Sequence, residues 1–145
     1  MPDRALNILL VEDDEVDVMN VERAFERNKL RNTLFVAGNG LEALELLRGE
    51  KIPKERRLIL LDLNMPGLDG RKTLQLIKQD GTLKRIPVII LTTSSDERDI
   101  QDCYQMGANT YVQKPVSFDG LIEAIKRLKA YWFEIALLPK DIARD

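Results

Sequence analysis

The segment LILLDLNMPG, residues 58–67, decides the fold of this chain. Four apolar residues pass directly into Asp62, so a strand that ends here projects a carboxylate from the rim of a sheet. A second segment, ILLVEDD at residues 8–14, has the same form and ends in Glu12, Asp13 and Asp14. Two such strands side by side would gather carboxylates that repel one another. The pair of segments therefore indicates a cation between them.

Length and composition limit the classes of protein that fit. A chain of 145 residues suits one domain with one core, and we expect a single domain over residues 1–145. The hydrophobic fraction of 44% and the charged fraction of 32% are typical of a globular chain. The net charge of -2 argues against a nucleic-acid partner, and no apolar run is long enough to span a bilayer. We therefore expect a cytoplasmic protein that binds neither nucleic acid nor membrane.

The chain contains no histidine and one cysteine, Cys103. These counts exclude Ser-His-Asp and Cys-His catalysis and an intrachain disulfide. They also argue against zinc, which prefers histidine and cysteine ligands. A metal in this protein would need oxygen ligands, which favours Mg²⁺. We expect Cys103 to be a small core residue.

Five apolar segments alternate with five segments of helical spacing. The strands are predicted at Leu6–Val11, Thr33–Ala37, Leu58–Leu61, Val88–Leu91 and Thr110–Val112. Such continuous apolar runs are typical of a parallel sheet covered on both faces. The helices are predicted from apolar positions three or four residues apart, namely Val18, Val21 and Phe25; Leu41, Leu44 and Leu47; Leu74 and Ile77; Ile100, Cys103 and Tyr104; Leu121, Ile125, Leu128 and Trp132. The alternation predicts a doubly wound α/β domain with a five-stranded parallel sheet.

Short local patterns predict where helices begin and end. Ser94 and Glu97 have the spacing of a capping box at the start of the fourth helix, and Gly107 is placed to end it. Asp14 is expected to cap the first helix. The stretch Arg48–Arg57 predicts a polar, basic loop before the third strand.

Further polar residues follow the later strands. In an open α/β sheet, ligands bind outside the carboxyl ends of the strands. Thr92 and Thr93 follow the fourth predicted strand, and Gln113, Lys114 and Pro115 follow the fifth. We therefore expect hydroxyl and ammonium groups to meet the acidic cluster at one edge of the sheet.

Taken together, these residues resemble the receiver domain of two-component response regulators, the CheY-like family. The likeness is carried by Glu12-Asp13, by LDLNMPGLDG at residues 61–70, by Thr92 and by Lys114-Pro115, and it covers about residues 5–130. It implies a flavodoxin-like (βα)5 fold with strand order 2-1-3-4-5. It also implies that Asp62 accepts a phosphoryl group from the phosphohistidine of a partner histidine kinase.

The charges of the predicted site suit such a transfer. Glu12, Asp13 and Asp62 bring three negative charges, while Mg²⁺ and Lys114 would bring three positive ones. The resemblance implies that the backbone carbonyl of Asn64 is a further metal ligand. The implied phosphate contacts are Asn64, Thr92, Thr93 and Lys114.

The resemblance also implies a switch. Thr92 would move inward to the phosphate, and Tyr111 would swing into the space that opens beside the fourth strand. The alternative for Tyr111 is half-buried packing without a switching role. The family likeness further implies a cis bond between Lys114 and Pro115, which X–Pro bonds permit at low cost.

The segment YWFEIALLP at residues 131–139 is unusually apolar for the end of a chain. It belongs to a predicted extension, residues 131–145, and is expected either to pack on the domain's own core or to form a partner surface. This segment, the loop at residues 48–57 and Thr92-Thr93-Ser94 resemble single-domain regulators that are paired with bacterial phytochrome kinases. That resemblance implies a phytochrome-type histidine kinase as partner. It also implies a homodimer through the fourth helix, fifth strand and fifth helix, with an interface at Tyr111, Trp132 and Phe133. We expect no output domain to follow, so that the protein either signals through contact with an unidentified downstream protein or serves as a phosphate shuttle or sink.

Three other functions fit the sequence less well. A haloacid-dehalogenase-like phosphatase needs a second Asp two residues after its nucleophile, where this chain has Asn64. A pseudo-receiver that never takes phosphate remains an alternative, although every required residue is present. A flavodoxin would need a Ser/Thr/Gly-rich phosphate loop after the first strand, where acids lie instead. We expect a phosphoacceptor rather than an enzyme, with self-catalysed phosphotransfer and autodephosphorylation.

Overall fold

Five parallel strands form one sheet in the order β2-β1-β3-β4-β5. The computed structural model describes residues 6–30, 32–65 and 69–139. The strands are β1 (Asn7–Val11), β2 (Leu34–Ala37), β3 (Arg57–Leu61), β4 (Val88–Thr92) and β5 (Thr110–Gln113). The predicted doubly wound, flavodoxin-like fold and its strand order are confirmed. Pro66, Gly67 and Leu68 of the quoted segment lie outside the described residues.

Five α-helices connect the strands and cover the sheet. They are α1 (Glu15–Arg27), α2 (Gly40–Arg48), α3 (Gly70–Gln79), α4 (Glu97–Gln105) and α5 (Phe118–Leu128). A 3₁₀ turn at Leu83–Arg85 precedes β4, and a π-helical turn at Lys129–Phe133 follows α5. The spacing of Trp132 predicts that it belongs to the fifth helix. In the structure it lies in the π-helical turn after α5. No helix in the described ranges is long and apolar enough to cross a membrane.

The sheet separates two apolar clusters because successive side chains of a strand point to opposite faces. The first core contains Leu9, Leu61 and Ile90 from the sheet, and α2, α3 and α4 cover it. The second core contains Leu10 and Leu60 from the sheet, and α1 and α5 cover it. All residues of β3 and β4 are buried, as predicted for strands covered on both faces. Cys103 is fully buried in the first core, as expected.

Two of the three predicted helix signals are confirmed and one is wrong. The Asp14 side chain caps α1 by accepting the N–H groups of Val16 and Asp17. Gly107 follows the end of α4 with φ of +108°, a conformation that favours glycine. The capping box of α4 is wrong because the loop after β4 is longer than the pattern implies. Asp96 immediately precedes the helix and accepts the N–H of Arg98.

Arg57 corrects the prediction for residues 48–57. Only residues 49–56 form a loop, because Arg48 is the last residue of α2 and Arg57 begins β3 with its guanidinium buried. It donates to the carbonyls of Leu47, Ile52 and Pro53 at 2.9, 2.6 and 3.0 Å. The Leu47 carbonyl lies in the last turn of α2, where carbonyls lack partners within the helix. Arg57 therefore joins the end of α2 to the loop and to the start of β3.

Residues 129–139 fold back over the second core. Trp132, Phe133 and Leu138 are partly buried against that core, and the rings of Phe133 and Phe25 meet edge to face at 6.1 Å. The carbonyl of Pro139 accepts the backbone N–H of Arg56 at 3.3 Å. Residues 140–145 of the predicted extension lie outside the described residues. These contacts favour packing on the domain's own core for this segment.

Candidate functional site

Three carboxylates meet at the carboxyl ends of β1 and β3. Val11 and Leu61 are register partners in the two adjacent strands, so the residues that follow them emerge side by side. Carboxylate oxygens of Glu12, Asp13 and Asp62 all lie within 4.8 Å of one another. Glu12 and Asp62 are buried, whereas Asp13 is exposed. The predicted convergence of these three acids is present in the structure.

This cluster has the character of a site for a hard divalent cation. Burial raises the pKa of Glu12 to about 7, against the opposing effect of Lys114, and the charge of Asp62 adds to the rise. A cation between the three carboxylates would relieve both the desolvation and the repulsion. All three donors are oxygens, which suits Mg²⁺ and similar ions. The backbone N–H of Asn64 donates to Asp62 Oδ1 at 3.3 Å, and the ligand role of its carbonyl stays a prediction.

Lys114 reaches this edge from the end of β5. Its Nζ lies 2.9 Å from Glu12 Oε1 and 3.3 Å from Asp17 Oδ2, and its side chain is only 9% exposed. Burial alone would lower the pKa of Lys114, but the hydrogen bond and charge of Glu12, helped by Asp62 and Asp17, raise it above its usual value. The contact with Asp17 was not predicted. Its one signal in the sequence is that Asp17 follows the acidic cluster closely, in the first turn of α1.

The hydroxyl residues after β4 contact the same edge. Thr92 is fully buried, and its Oγ1 accepts a hydrogen bond from Asn64 Nδ2 at 3.3 Å. The same amide lies 3.4 Å from Thr93 Oγ1. Gln113 at the end of β5 donates to the carbonyl of Thr93 at 3.3 Å. The structure thus joins the ends of β3, β4 and β5 through Asn64, Thr93 and Gln113.

Tyr111 lies inward in this structure. Its ring packs against the first core, and its hydroxyl donates to the carbonyl of Ser94 at 2.9 Å. Its backbone N–H donates to the hydroxyl of Tyr104 at 3.0 Å. Tyr111 is therefore attached both to the loop after β4 and to α4. Its switching role stays a prediction.

The loop after β4 is also attached to α3 through a network that the sequence did not predict. Ser94 Oγ donates to Asp99 Oδ2 at 2.7 Å, and Arg71 Nη1 lies 2.6 Å from Asp99 Oδ1. Arg71 also approaches Asp102 Oδ2 at 3.8 Å. The carbonyl and the hydroxyl of Ser94 therefore have different partners, which hold the loop from two sides.

Two further expectations concern the Lys114–Pro115 bond and the predicted interface residues. Every peptide bond between described residues is trans, including Lys114–Pro115, so the expected cis bond is wrong. The trans form of an X–Pro bond is favoured by about 0.5–1 kcal/mol. Of the expected interface residues, Tyr111 packs on the first core, whereas Trp132 and Phe133 pack on the second. Their role in an interface stays a prediction.

The fold and this site define a class of protein, and sequence comparison agrees. Residues 8–126 match the model of the response regulator receiver domain. The chain belongs to this family, whose members act in two-component signalling, bind divalent metals and are in general phosphoacceptors rather than enzymes.

Particular relatives are similar over nearly the whole chain. The response regulator Rcp1 of Synechocystis sp. is 38% identical over 135 residues, which cover 91% of this chain and 92% of Rcp1. The crystal structure of the phosphorylated cyanobacterial phytochrome response regulator RcpA superposes with a TM-score of 0.84 at 38% identity, covering 93% of this chain and 99% of that one. The Mn²⁺-bound form of Rcp1 gives a TM-score of 0.79 at 37% identity, covering 91% and 97%.

Proposed function

We propose that Asp62 is the phosphoacceptor of this receiver domain. Its carboxylate stands at the rim of the sheet within 4.8 Å of the Glu12 and Asp13 carboxylates, and this geometry carries the proposal. A carboxylate oxygen of Asp62 would attack the phosphorus of a kinase phosphohistidine. The P–O bond of an acyl phosphate forms, the P–N bond breaks, and the imidazole leaves with a proton from solvent.

The oxygen donors of Glu12, Asp13 and Asp62, with the backbone carbonyl of Asn64, would hold Mg²⁺. When bound, the ion offsets the repulsion between the attacking carboxylate and the anionic phosphate. Lys114 would donate to one phosphate oxygen on the side facing β5.

The remaining contacts to the phosphoryl group would come from residues that already face one another. The Thr92 hydroxyl and the backbone N–H groups of Asn64 and Thr93 would donate to phosphate oxygens. Asn64, whose side chain is exposed, and Ser94, which is partly exposed, would flank the approach of water to Asp62, as the family resemblance implies. We therefore assign self-catalysed phosphotransfer and autodephosphorylation to these residues.

Movement of Thr92 toward the phosphate would bias a two-state element. Thr92 is fully buried beside the loop that holds the Tyr111 hydroxyl at Ser94. A displacement of Thr92 therefore acts on the surface formed by α4, β5 and α5. This surface is the proposed output of the domain toward an unidentified downstream protein.

A histidine kinase would dock beside the site. Val16 and Met19 of α1 and Val116 after Lys114 are large apolar side chains that are exposed near the acidic cluster. Because RcpA is described as a phytochrome response regulator, a phytochrome-type kinase is the proposed partner. Cytoplasmic residence, and the absence of nucleic-acid and membrane partners, stay predictions.

We further propose a homodimer through α4, β5, α5 and the segment at residues 131–139. Tyr104 on α4 and Tyr131 after α5 are exposed aromatic side chains that could lie in such an interface. Replacing Trp132 or Phe133 with alanine should weaken the dimer, but both pack on the second core. Tyr104→Ala and Tyr131→Ala change exposed side chains instead, and Tyr104→Phe is the control for the loss of the hydrogen bond from the Tyr111 N–H to the Tyr104 hydroxyl. A monomeric mass for the wild type by light scattering at tens of micromolar contradicts the proposal.

The proposed phosphorylation is tested with acetyl phosphate or beryllofluoride and Mg²⁺. Mass spectrometry should find the adduct on Asp62, and Asp62→Asn should abolish it. Asp119→Asn, which changes an exposed acid in the first turn of α5, is the matched control and should keep the adduct. An adduct on another residue would move the site. Repeated turnover of a generic phosphomonoester would favour the phosphatase alternative.

A further inference from the structure

Asp17 and Glu12 together hold the ammonium group of Lys114. Lys114 Nζ lies 2.9 Å from Glu12 Oε1 and 3.3 Å from Asp17 Oδ2. The side chain of Glu12 is 3% exposed and that of Asp17 is 37% exposed, so the second contact lies at the border with solvent. A lysine ammonium has three N–H donors, and two of them serve these carboxylates.

The position of Asp17 in the first turn of α1 does not by itself explain its contact. Carboxylates near a helix N-terminus are stabilised by the helix dipole without any partner. Glu15 is such a residue, because it is exposed and forms no ion pair with Lys114 in the part of the chain that the structure describes. Asp14 already caps the helix by accepting the N–H group of Asp17. The Asp17 carboxylate is therefore not needed as a cap and instead contacts Lys114.

This contact bears on the transfer to Asp62. Within the described ranges, Lys114 forms no ion pair with Asp62 at 4.0 Å or less, although the two charges attract. A phosphoryl oxygen on Asp62 would therefore compete with the Glu12 and Asp17 carboxylates for the ammonium group. Glu12 is one of the three proposed metal ligands. Asp17 is thus the second carboxylate that competes with a phosphoryl oxygen for Lys114, and the proposed function gives Asp17 no role.

We propose that Asp17 is a positioning residue that restrains Lys114 and sets how readily Asp62 takes up and keeps a phosphoryl group. The inference rests on the proposed function. Removing the charge of Asp17 makes it easier for Lys114 to reach the phosphoryl oxygen. Asp17→Asn should therefore be phosphorylated faster and dephosphorylated more slowly than the wild type. A partly exposed ion pair corresponds to a change of about twofold to fivefold.

The experiment compares the wild type with Asp17→Asn, Asp17→Glu and Glu15→Gln in acetyl phosphate and Mg²⁺, with the Asp62 adduct followed by intact mass. Glu15→Gln removes one charge from the same helical turn and measures the general effect of charge on an anionic donor. Asp17→Asn should raise the maximal rate at saturating acetyl phosphate about twofold to fivefold. Glu15→Gln should change only the donor concentration that gives half of that rate, and Asp17→Glu should restore the wild-type rate.

An equilibrium measurement separates the restraint from a purely kinetic effect. Beryllofluoride with Mg²⁺ should bind Asp17→Asn about twofold to fivefold more tightly than the wild type by calorimetry, whereas Glu15→Gln should bind it as the wild type does. This inference alone is overturned if the wild type is phosphorylated at Asp62 but Asp17→Asn neither reacts faster nor binds beryllofluoride more tightly than Glu15→Gln. A wild type that takes up no phosphoryl group at Asp62 overturns the proposed function and this inference with it.

Discussion

Replacing Gly70 with alanine should disturb the turn that holds Asp62. A Cβ at Gly70 would clash with the carbonyl oxygen of Asp62 and lie 2.5 Å from Cα of Leu63, and both of these are backbone atoms. The first turn of α3 would have to move away from β3 by about 1 Å to reach an ordinary van der Waals contact. Overpacking of this kind costs about 1–3 kcal/mol, here near the upper end because no flexible side chain can yield.

Alanine recovers up to about 1 kcal/mol of this cost through its helix propensity. We therefore expect Gly70→Ala to lower the free energy of unfolding by about 2–3 kcal/mol. The melting temperature should fall by about 4–12 °C, at about 2–4 °C per kcal/mol for a domain of this size. The displacement should also slow phosphorylation of Asp62 by acetyl phosphate in the folded protein. Urea unfolding and intact mass measure the two effects.

The matched control is Gly81→Ala, because nothing lies within 4 Å of a Cβ built at Gly81. This variant should stay within about 0.5 kcal/mol of the wild type and be phosphorylated normally. If Gly70→Ala is as stable as Gly81→Ala and takes up phosphate at the wild-type rate, the close approach of α3 to Asp62 is refuted.

Three further predictions concern stability, the loop after β4 and metal binding. Arg57→Ala leaves buried carbonyls unpaired and should lower the free energy of unfolding in urea by about 2–4 kcal/mol. Arg48→Ala removes an exposed ion pair and should lower it by less than about 1 kcal/mol. Equal losses in the two variants would contradict the buried role of Arg57. Asp99→Asn should speed amide hydrogen exchange in the β4–α4 loop more than Asp102→Asn does, because Arg71 lies closer to Asp99 than to Asp102. Equal exchange rates in the two variants would disprove the network of Ser94, Asp99 and Arg71. Burial raises the pKa of Glu12 to about 7, and only the deprotonated carboxylate binds a cation, so Mg²⁺ affinity should be about tenfold weaker at pH 6 than at pH 8. Calorimetry that finds the same affinity at both pH values would contradict this sign.

The parallel sheet and the acidic edge were predictable because both depend on local patterns. Each strand is a short apolar run, and its last residue marks the sheet edge, so the strand pattern places Glu12, Asp13 and Asp62 at one edge. The strand order that makes β1 and β3 neighbours came from the family resemblance and not from the pattern. The positions of Thr92 and Lys114 follow from the same reasoning, since parallel strands end at one edge.

The contacts of long polar side chains were not predictable in the same way. Lys114 and Asp17 are 97 residues apart, and their contact depends on how α1 is rotated against the end of β5. Arg57 has the sequence context of a basic loop, because sequence alone does not show that the carbonyls of Leu47 and Ile52 would surround its guanidinium. The start of α4 was misplaced because a serine and an aspartate two residues apart offer equal capping chemistry.

The attachment of residues 129–139 to the second core matters for protein engineering. A chimera that joins this receiver to a foreign output module directly after Leu128 would remove the contact of Phe133 with Phe25. It would also expose an apolar surface on α1 and α5 to solvent. Such a junction invites aggregation unless the inserted linker brings its own apolar cover. A junction placed beyond Pro139 keeps the native cover in place and is the design we would choose.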